Sequence, residues 1–190
     1  MHVIGLAGKA GSGKDTIGGL IADLPRWQQI AFADPLRVML VMGGFAKPEQ
    51  LNDRKLKETP IELHGASPRV LMQTLGTEWG REMIHPEIWI RLLAERVDKF
   101  TEANVAGVVI TDIRFEDEAE YVRRVGGKVV HVIRPPGAHG LLSSKHRSEA
   151  GVKRRYGDLL LDNDGLVADL PDKLQVLMQE ITGKKRWPYE

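Results

Sequence analysis

Gly8-Lys9-Ala10-Gly11-Ser12-Gly13-Lys14-Asp15-Thr16 is the stretch from which the rest of the chain can be read. It has the phosphate-loop spacing of glycine, four residues, glycine, lysine. Glycines let successive backbone N–H groups turn inward around phosphate oxygens, and a following helix adds its positive N-terminal end. Lys14 supplies a mobile cation for the outer phosphates, where charge shifts during transfer. Asp15 takes the position commonly held by a magnesium-binding Ser or Thr, and Thr16 follows one residue later. An acid there suits a hydrated magnesium ion, while Thr16 suits a phosphate oxygen nearer the nucleoside. A glycine-rich turn with an exposed lysine would show the same letters, but the flanking sequence favours the phosphate loop. Val3 to Ala7 is an apolar run of strand type before it, and Lys14 to Leu24 has helical character after it.

Working outward, short apolar runs alternate with longer amphipathic ones, which predicts a layered α/β domain. Gln29 to Ala33 is a weak second strand. Pro35 opens a short helix with Leu36, Met39, Leu40 and Met42, and residues 46–64 are polar and partly helical. Ser67 is a good N-cap and Pro68 fits a first turn. Val70, Leu71, Leu75 and Trp79 then repeat at helical spacing, so one helix is expected there. Another helix runs from about Pro86 to Phe100. Gly107 to Thr111 is an interior strand with Asp112 at its carboxyl end. Residues 116–125 form a helix stopped by Gly126 and Gly127. Strands follow at Lys128 to Ile133 and Leu159 to Leu161, with a last helix from about Pro171 to Thr182. Between the final strands, residues 134–157 carry Arg134, Lys145, Arg147, Lys153, Arg154 and Arg155. A basic loop of this length near a phosphate site reads as a lid.

The chain has 190 residues, 42% of them hydrophobic and 28% charged, as expected of one soluble globular domain. Its 27 basic and 26 acidic residues give a net charge of +1, so no bulk field calls for nucleic acid or membrane as partner. There is no cysteine, which excludes disulfides, thiolate metal sites and cysteine nucleophiles and fits a cytoplasmic location. The start resembles no signal peptide, and no apolar run approaches transmembrane length.

Asp112, ending an apolar strand, is placed to organise magnesium through water, or else to cap the next helix. Arg37, Arg69 and Arg114 are candidate ligands for an acceptor phosphate, because the planar guanidinium offers paired donors. Trp89 reads as core, and Trp79 as either core or a stacking surface for a base. His64, His85, His131, His139 and His146 lack metal-ligand spacing. Asp162-Asn163-Asp164-Gly165 has the Asp-x-x-Gly spacing of a nucleotide switch, but no Asn-Lys-x-Asp motif accompanies it.

Several segments together are more specific than the loop. GKAGSGKDT (8–16), FADPLR (32–37), SPRVLMQTLGTEWGREMIHPEIW (67–89), VVITDIRFEDEAEYV (108–122), HRSEAG (146–151) and LLLDNDG (159–165) occur in this order. The set resembles the bacteriophage deoxynucleoside monophosphate kinase family over nearly the whole chain. That resemblance implies a three-layer P-loop kinase fold in one domain, 1–190, with a five-stranded parallel sheet. It also implies a substrate-binding helical segment at about 35–100 and a lid at about 134–157. By the same resemblance ATP and magnesium ion are used, and ATP would be held by Gly11, Ser12, Gly13, Lys14, Asp15 and Thr16. Leu36, Arg37 and Arg69 would contact the acceptor nucleotide, and Arg114 would lie where the two phosphates meet. Glu149 would belong to the lid region, and relatives suggest a homodimer. Lys9 and Ala10 are interchanged relative to relatives with a substrate-contacting lysine one position later, so Lys9 is a substrate ligand only by shifted position. Phosphorylation of another small phosphorylated metabolite is the alternative within kinases.

Overall fold

The computed structural model describes residues 1–135 and 151–183. Five strands form one sheet: β1 (His2–Ala7), β2 (Trp27–Ile30), β3 (Gly107–Ile113), β4 (Lys128–Ile133) and β5 (Leu159–Asp162). Their order is β2-β3-β1-β4-β5, and every pairing is parallel. Parallel strands need crossovers and are buried on both faces, which is why β1 and β3 read as nearly continuous apolar runs.

The alternation of side chains sorts the two faces of the sheet. Ile4 and Leu6 of β1 share a buried cluster with Ile17 and Ile21 of helix α1 (Lys14–Ala22) and with Leu170, Leu174 and Leu177 of helix α7 (Leu170–Thr182). On the opposite face, Gly5 lies against Ile113 and against Val122 of helix α6 (Glu116–Arg124). The sheet is therefore a middle layer between helices. This is the three-layer α/β arrangement that the sequence predicts.

Two compact units divide the chain: residues 1–31 with 94–190, which contain the sheet, and Phe32–Leu93. The second unit holds α2 (Asp34–Met42), the short α3 (Pro48–Asn52), and α4 (Pro68–Thr74), which leads directly into a π-helix at Leu75–Ile84. Its own small core is Leu40, Ala46 and Leu51, with Val41, Ile61, Leu71, Met72 and Leu75 packed on it. Helix α5 (Ile88–Glu102) begins in this unit and ends in the other.

Two expectations from the sequence need correcting. The second strand is Trp27–Ile30 rather than Gln29 to Ala33. Arg26 adopts a positive φ of 65°, and its carbonyl accepts from Ala106 N at 2.7 Å, which starts the ladder early and sets Trp27 opposite Gly107. The single helix expected from Ser67 to Trp79 is α4 followed by ten residues of π-helix. Ser67 does cap it, accepting from Val70 N at 3.3 Å. Beyond Thr74, the Trp89 indole N–H donates to the Gly76 carbonyl at 2.7 Å, an oxygen that an α-helix would direct to residue 80. A Cβ at Gly80 would lie 2.3 Å from the same indole ring, so the wider turn depends on glycine there. Among the described residues, no helix is long and apolar enough to cross a membrane.

Candidate active site

The loop at residues 8–13 leaves the carboxyl end of β1 and enters α1. Gly8, Gly11 and Gly13 all have positive φ, the region that bars side chains and turns backbone N–H groups inward. Gly13 caps α1 in the left-handed conformation, φ 99°, and Asp15 lies in the first turn, where a carboxylate is favoured by the helix dipole. The Lys14 ammonium turns back over the loop, donating to the Gly8 carbonyl at 2.7 Å and the Lys9 carbonyl at 2.9 Å. Ser12 is buried, whereas Gly11, Asp15 and Thr16 are exposed.

The far side of the loop is held by a residue that the sequence reading considered only as part of a switch motif. Asn163, buried after β5, donates from Nδ2 to the Ser12 carbonyl at 2.8 Å, and its own N–H donates to the Ile133 carbonyl at 2.7 Å. A Cβ on Gly13 would lie 2.3 Å from that Nδ2. Asp162-Asn163-Asp164-Gly165 is thus a brace for the phosphate loop. Lys173 bridges its ends, bonding the Asp162 carbonyl at 2.7 Å and the Asp164 carboxylate.

β3 runs two residues further than expected, so Asp112 is its penultimate residue, half-buried, and does not cap α6. The start of α6 is satisfied instead by Glu118, whose buried carboxylate accepts from Arg114 N at 2.8 Å and Phe115 N at 3.1 Å. This fixes the backbone that carries Arg114 just beyond the strand. In the same unit, Gly18 of α1 lies against Thr111 of β3, with no room for a side chain. Close packing of that helix on that strand brings the loop and Asp112 to the same end of neighbouring parallel strands. Ligands of open parallel sheets bind at that end.

Arg37 and Arg69 belong to the second unit, and each has protein partners. Arg37 donates to the Leu51 carbonyl at 3.1 Å and to Asn52 Oδ1 at 2.9 Å. Arg69 is paired with Glu58 through Nε. Leu36 is buried. Trp89 is core, as expected, while Trp79 is 37% exposed and tilts against Trp89 with ring centroids 6.4 Å apart. Lys9 is exposed, and its carbonyl accepts from Ser12 N as well as from Lys14. Glu149, Lys145, Arg147 and most of the expected lid lie outside the described residues.

A charged cluster forms beside the sheet where the chain returns at residues 151–158. The Asp158 carboxylate is 2% exposed and accepts from Arg123 Nε at 3.0 Å and Nη2 at 2.7 Å, from Arg155 N at 2.8 Å, and shares a bond with His131 Nε2 at 3.1 Å. Burial pushes its pKa up, but the Arg123, Arg155 and His131 hydrogen bonds outweigh that and hold it at about 2. Arg155 also pairs with Glu120 at 2.6 Å and Glu116 at 3.5 Å. Asp158 could not be singled out from sequence, because a lone polar residue in a loop carries no spacing signal, and Asn163 entered only as an unspecified position of the Asp-x-x-Gly spacing.

Among the described residues, no group of three or more His, Asp or Glu side chains could hold a metal ion. Asp15 and Asp112 offer carboxylate oxygens in the sheet-bearing unit.

The family model described as deoxynucleotide monophosphate kinase matches residues 47–174. A protein of Acanthamoeba polyphaga mimivirus named for the same activity is 30% identical over 182 residues, covering 86% of this chain and 89% of its own. The deoxynucleoside-5'-monophosphate kinase of Escherichia phage T5 is 27% identical over 222 residues, covering 81% of this chain and 86% of its own. Among solved structures, dephospho-CoA kinase from Campylobacter jejuni superposes with a TM-score of 0.51 at 16% identity, over 95% of this chain and 98% of that one. That last likeness concerns the fold alone.

Proposed function

The chain belongs to the deoxynucleotide monophosphate kinase family, and from that premise we propose how its residues carry the γ-phosphoryl group of ATP to a deoxynucleoside monophosphate. The observation that carries the reading is the phosphate loop, with three glycines at positive φ, a helix beginning at Lys14, and the Lys14 ammonium turned over the loop. That ammonium donates to the Gly8 and Lys9 carbonyls, and phosphate oxygens of ATP take their place in the reaction. Thr16 and the N–H groups of 11–16 hold the remaining phosphate oxygens.

The acceptor's phosphate is already an anionic nucleophile at neutral pH. One of its oxygens attacks the γ-phosphorus as the bond to the ADP oxygen breaks, so no strong general base is needed. What the reaction needs is alignment and charge neutralisation. Arg114, held by the Glu118-capped turn, and Lys14 supply that charge from the sheet-bearing unit. Arg37 and Arg69 grip the acceptor monophosphate, with Leu36 and Trp79 alongside its nucleoside. Lys9 adds a cation at the loop's outer edge.

Magnesium ion fits this donor set. Asp15 and Asp112 are hard oxygen ligands, too few to form a protein cage, and magnesium is commonly held by one or two carboxylates with phosphates and water completing its shell. Bound by Asp15 and Asp112, it would supply positive charge against that of the phosphates. The protein's part is to hold those two carboxylates at the phosphate end of the sheet. A homodimer is the assembly we propose, to be checked by sedimentation.

A coupled ADP-release assay tests the function across the four deoxynucleoside monophosphates, with ATP and magnesium, beside a panel of other phosphorylated metabolites. Turnover confined to nucleotides is expected. ADP release only with a non-nucleotide phosphate ester would overturn the proposal.

A further inference from the structure

We infer that Glu116 is a positioning residue for phosphoryl transfer that acts through Arg114, an inference that rests on Arg114 supplying charge to the transfer. Glu116, Glu120 and Arg123 lie four and three residues apart in α6, so they share one face of that helix. The chain that returns before β5 runs along this face and meets each of them in turn. Arg123 pairs with Asp158 at 2.7 Å, Glu120 with Arg155 at 2.6 Å, and Glu116 accepts from Lys153 N at 2.5 Å. The three contacts form a ladder from the last turn of α6 to its first. Its foot is the buried Asp158, and its top rung ends two residues from Arg114.

The top rung differs from the other two in kind. They join side chain to side chain, whereas Glu116 holds backbone and so fixes the course of the chain itself. The second oxygen of Glu116, Oε2, is buried and has no hydrogen-bond partner among the described residues. It faces Arg155 Nη2 at 3.5 Å and Arg123 Nη1 at 4.0 Å, so charge as well as the Lys153 bond places this carboxylate. Arg114 is thereby supported from two directions. Glu118 accepts its N–H from within α6, and Glu116 ties the same first turn to a segment 37 positions away. A group that neutralises developing charge needs such support, since a displacement of about 1 Å can cost up to about a hundredfold in rate. With the Glu118 bonds left in place, loss of Glu116 should cost only part of that.

The test uses full chains of wild type, Glu116→Ala, Glu116→Gln, Glu120→Ala, Arg114→Ala and the Glu116→Ala/Arg114→Ala double variant. For each, kcat, both KM values and the melting temperature are measured with ATP, magnesium and the deoxynucleoside monophosphates. We expect Glu116→Ala to lower kcat about five- to tenfold, with both KM values within about twofold of wild type. Glutamine keeps an oxygen for Lys153 N–H and should restore most of the lost rate. Glu120→Ala breaks the neighbouring rung and should lower the melting temperature while leaving kcat unchanged. In the Arg114→Ala background, removing Glu116 should have no further effect on kcat, because the group it positions is gone. Equal losses of kcat in Glu116→Ala and Glu120→Ala would reduce the ladder to a structural support and overturn the inference. Wild-type kcat in Glu116→Ala, or additive losses in the double variant, would overturn it too, with the function itself intact. Wild type inactive on all four monophosphates would remove the function and this inference together.

Discussion

The side-chain amide of Asn163 and the backbone carbonyl of Ser12, 151 positions apart in the chain, are joined by a hydrogen bond of 2.8 Å. Through it, the turn after the last strand braces the phosphate-loop motif, which we propose holds ATP. Asn163→Ala should therefore raise KM for ATP several-fold while leaving KM for the acceptor nearly unchanged, and should cost about 1–2 kcal/mol of stability. Steady-state kinetics with each substrate varied, together with denaturant melts, check this. Gly13→Ala should be worse, since its methyl group would meet the Asn163 amide at 2.3 Å at a φ of 99°. In the double variant the clash is relieved but the backbone strain stays, so the two losses should be less than additive.

Lys14→Ala should lower kcat by roughly 10²–10³, the effect of removing a preorganised charge from the site of charge development. Its partners include two loop carbonyls on exposed residues, so the variant should fold. A purified variant with a native circular dichroism spectrum and wild-type turnover would remove Lys14 from the reaction.

Arg69 and Arg37 should each behave as acceptor ligands that must leave a protein partner. Arg69→Ala and Arg37→Ala are expected to lower kcat/KM for the monophosphate about ten- to a hundredfold, with KM for ATP much less affected. Lysine should rescue only in part, because it lacks the planar pair of donors. Glu58→Gln releases Arg69 from its ion pair and should lower KM for the acceptor. Weaker ATP binding alone in either alanine variant would mean that the two sites are exchanged.

Asp158 makes stability depend on acid. Its folded pKa of about 2 lies below the ordinary 3.8, so ionised Asp158 stabilises the protein fully above the ordinary value. That contribution is lost as pH falls from about 3.8 through about 2, since protonation then favours the unfolded chain. Asp158→Asn should cost about 2 kcal/mol at neutral pH and progressively less below pH 4. Denaturant titrations at pH 7, 4 and 2.5 check this, and a pH-independent difference between the two proteins would contradict it.

What could be read from sequence was local. The phosphate loop is legible because its spacing is itself the mechanism, and β1, β3 and β4 are legible because strands buried on both faces must be apolar throughout. The π-helix was not legible, since Leu71, Leu75 and Trp79 keep a spacing compatible with an α-helix. The difference comes from Trp89, ten residues beyond Trp79, whose indole takes the Gly76 carbonyl. β2 was displaced because its start depends on a hydrogen bond between Arg26 and Ala106, and no window over residues 25–33 contains that partner. The residues of the proposed site divide in the same way. Lys14, Asp15 and Asp112 follow from motif position, whereas Asn163, Glu118 and Asp158 act through partners that only the fold supplies.

The order of the sheet has a consequence for biosynthesis. β1 leaves the ribosome first, yet its neighbours in the sheet are β3 and β4, with His2 opposite Gly107 and Ile4 opposite Lys128. Throughout translation of the intervening chain, this apolar strand has two unpaired edges, the feature most prone to pair with a neighbouring nascent chain. The phosphate loop is unfinished for longer still, because its brace arrives only with Asn163. A chain arrested before that residue would carry the whole phosphate-loop motif and be unable to hold it in shape. Completion of the sheet therefore waits for strands synthesised long after β1, and the yield of active enzyme depends on how well the cell shields β1 in the interval.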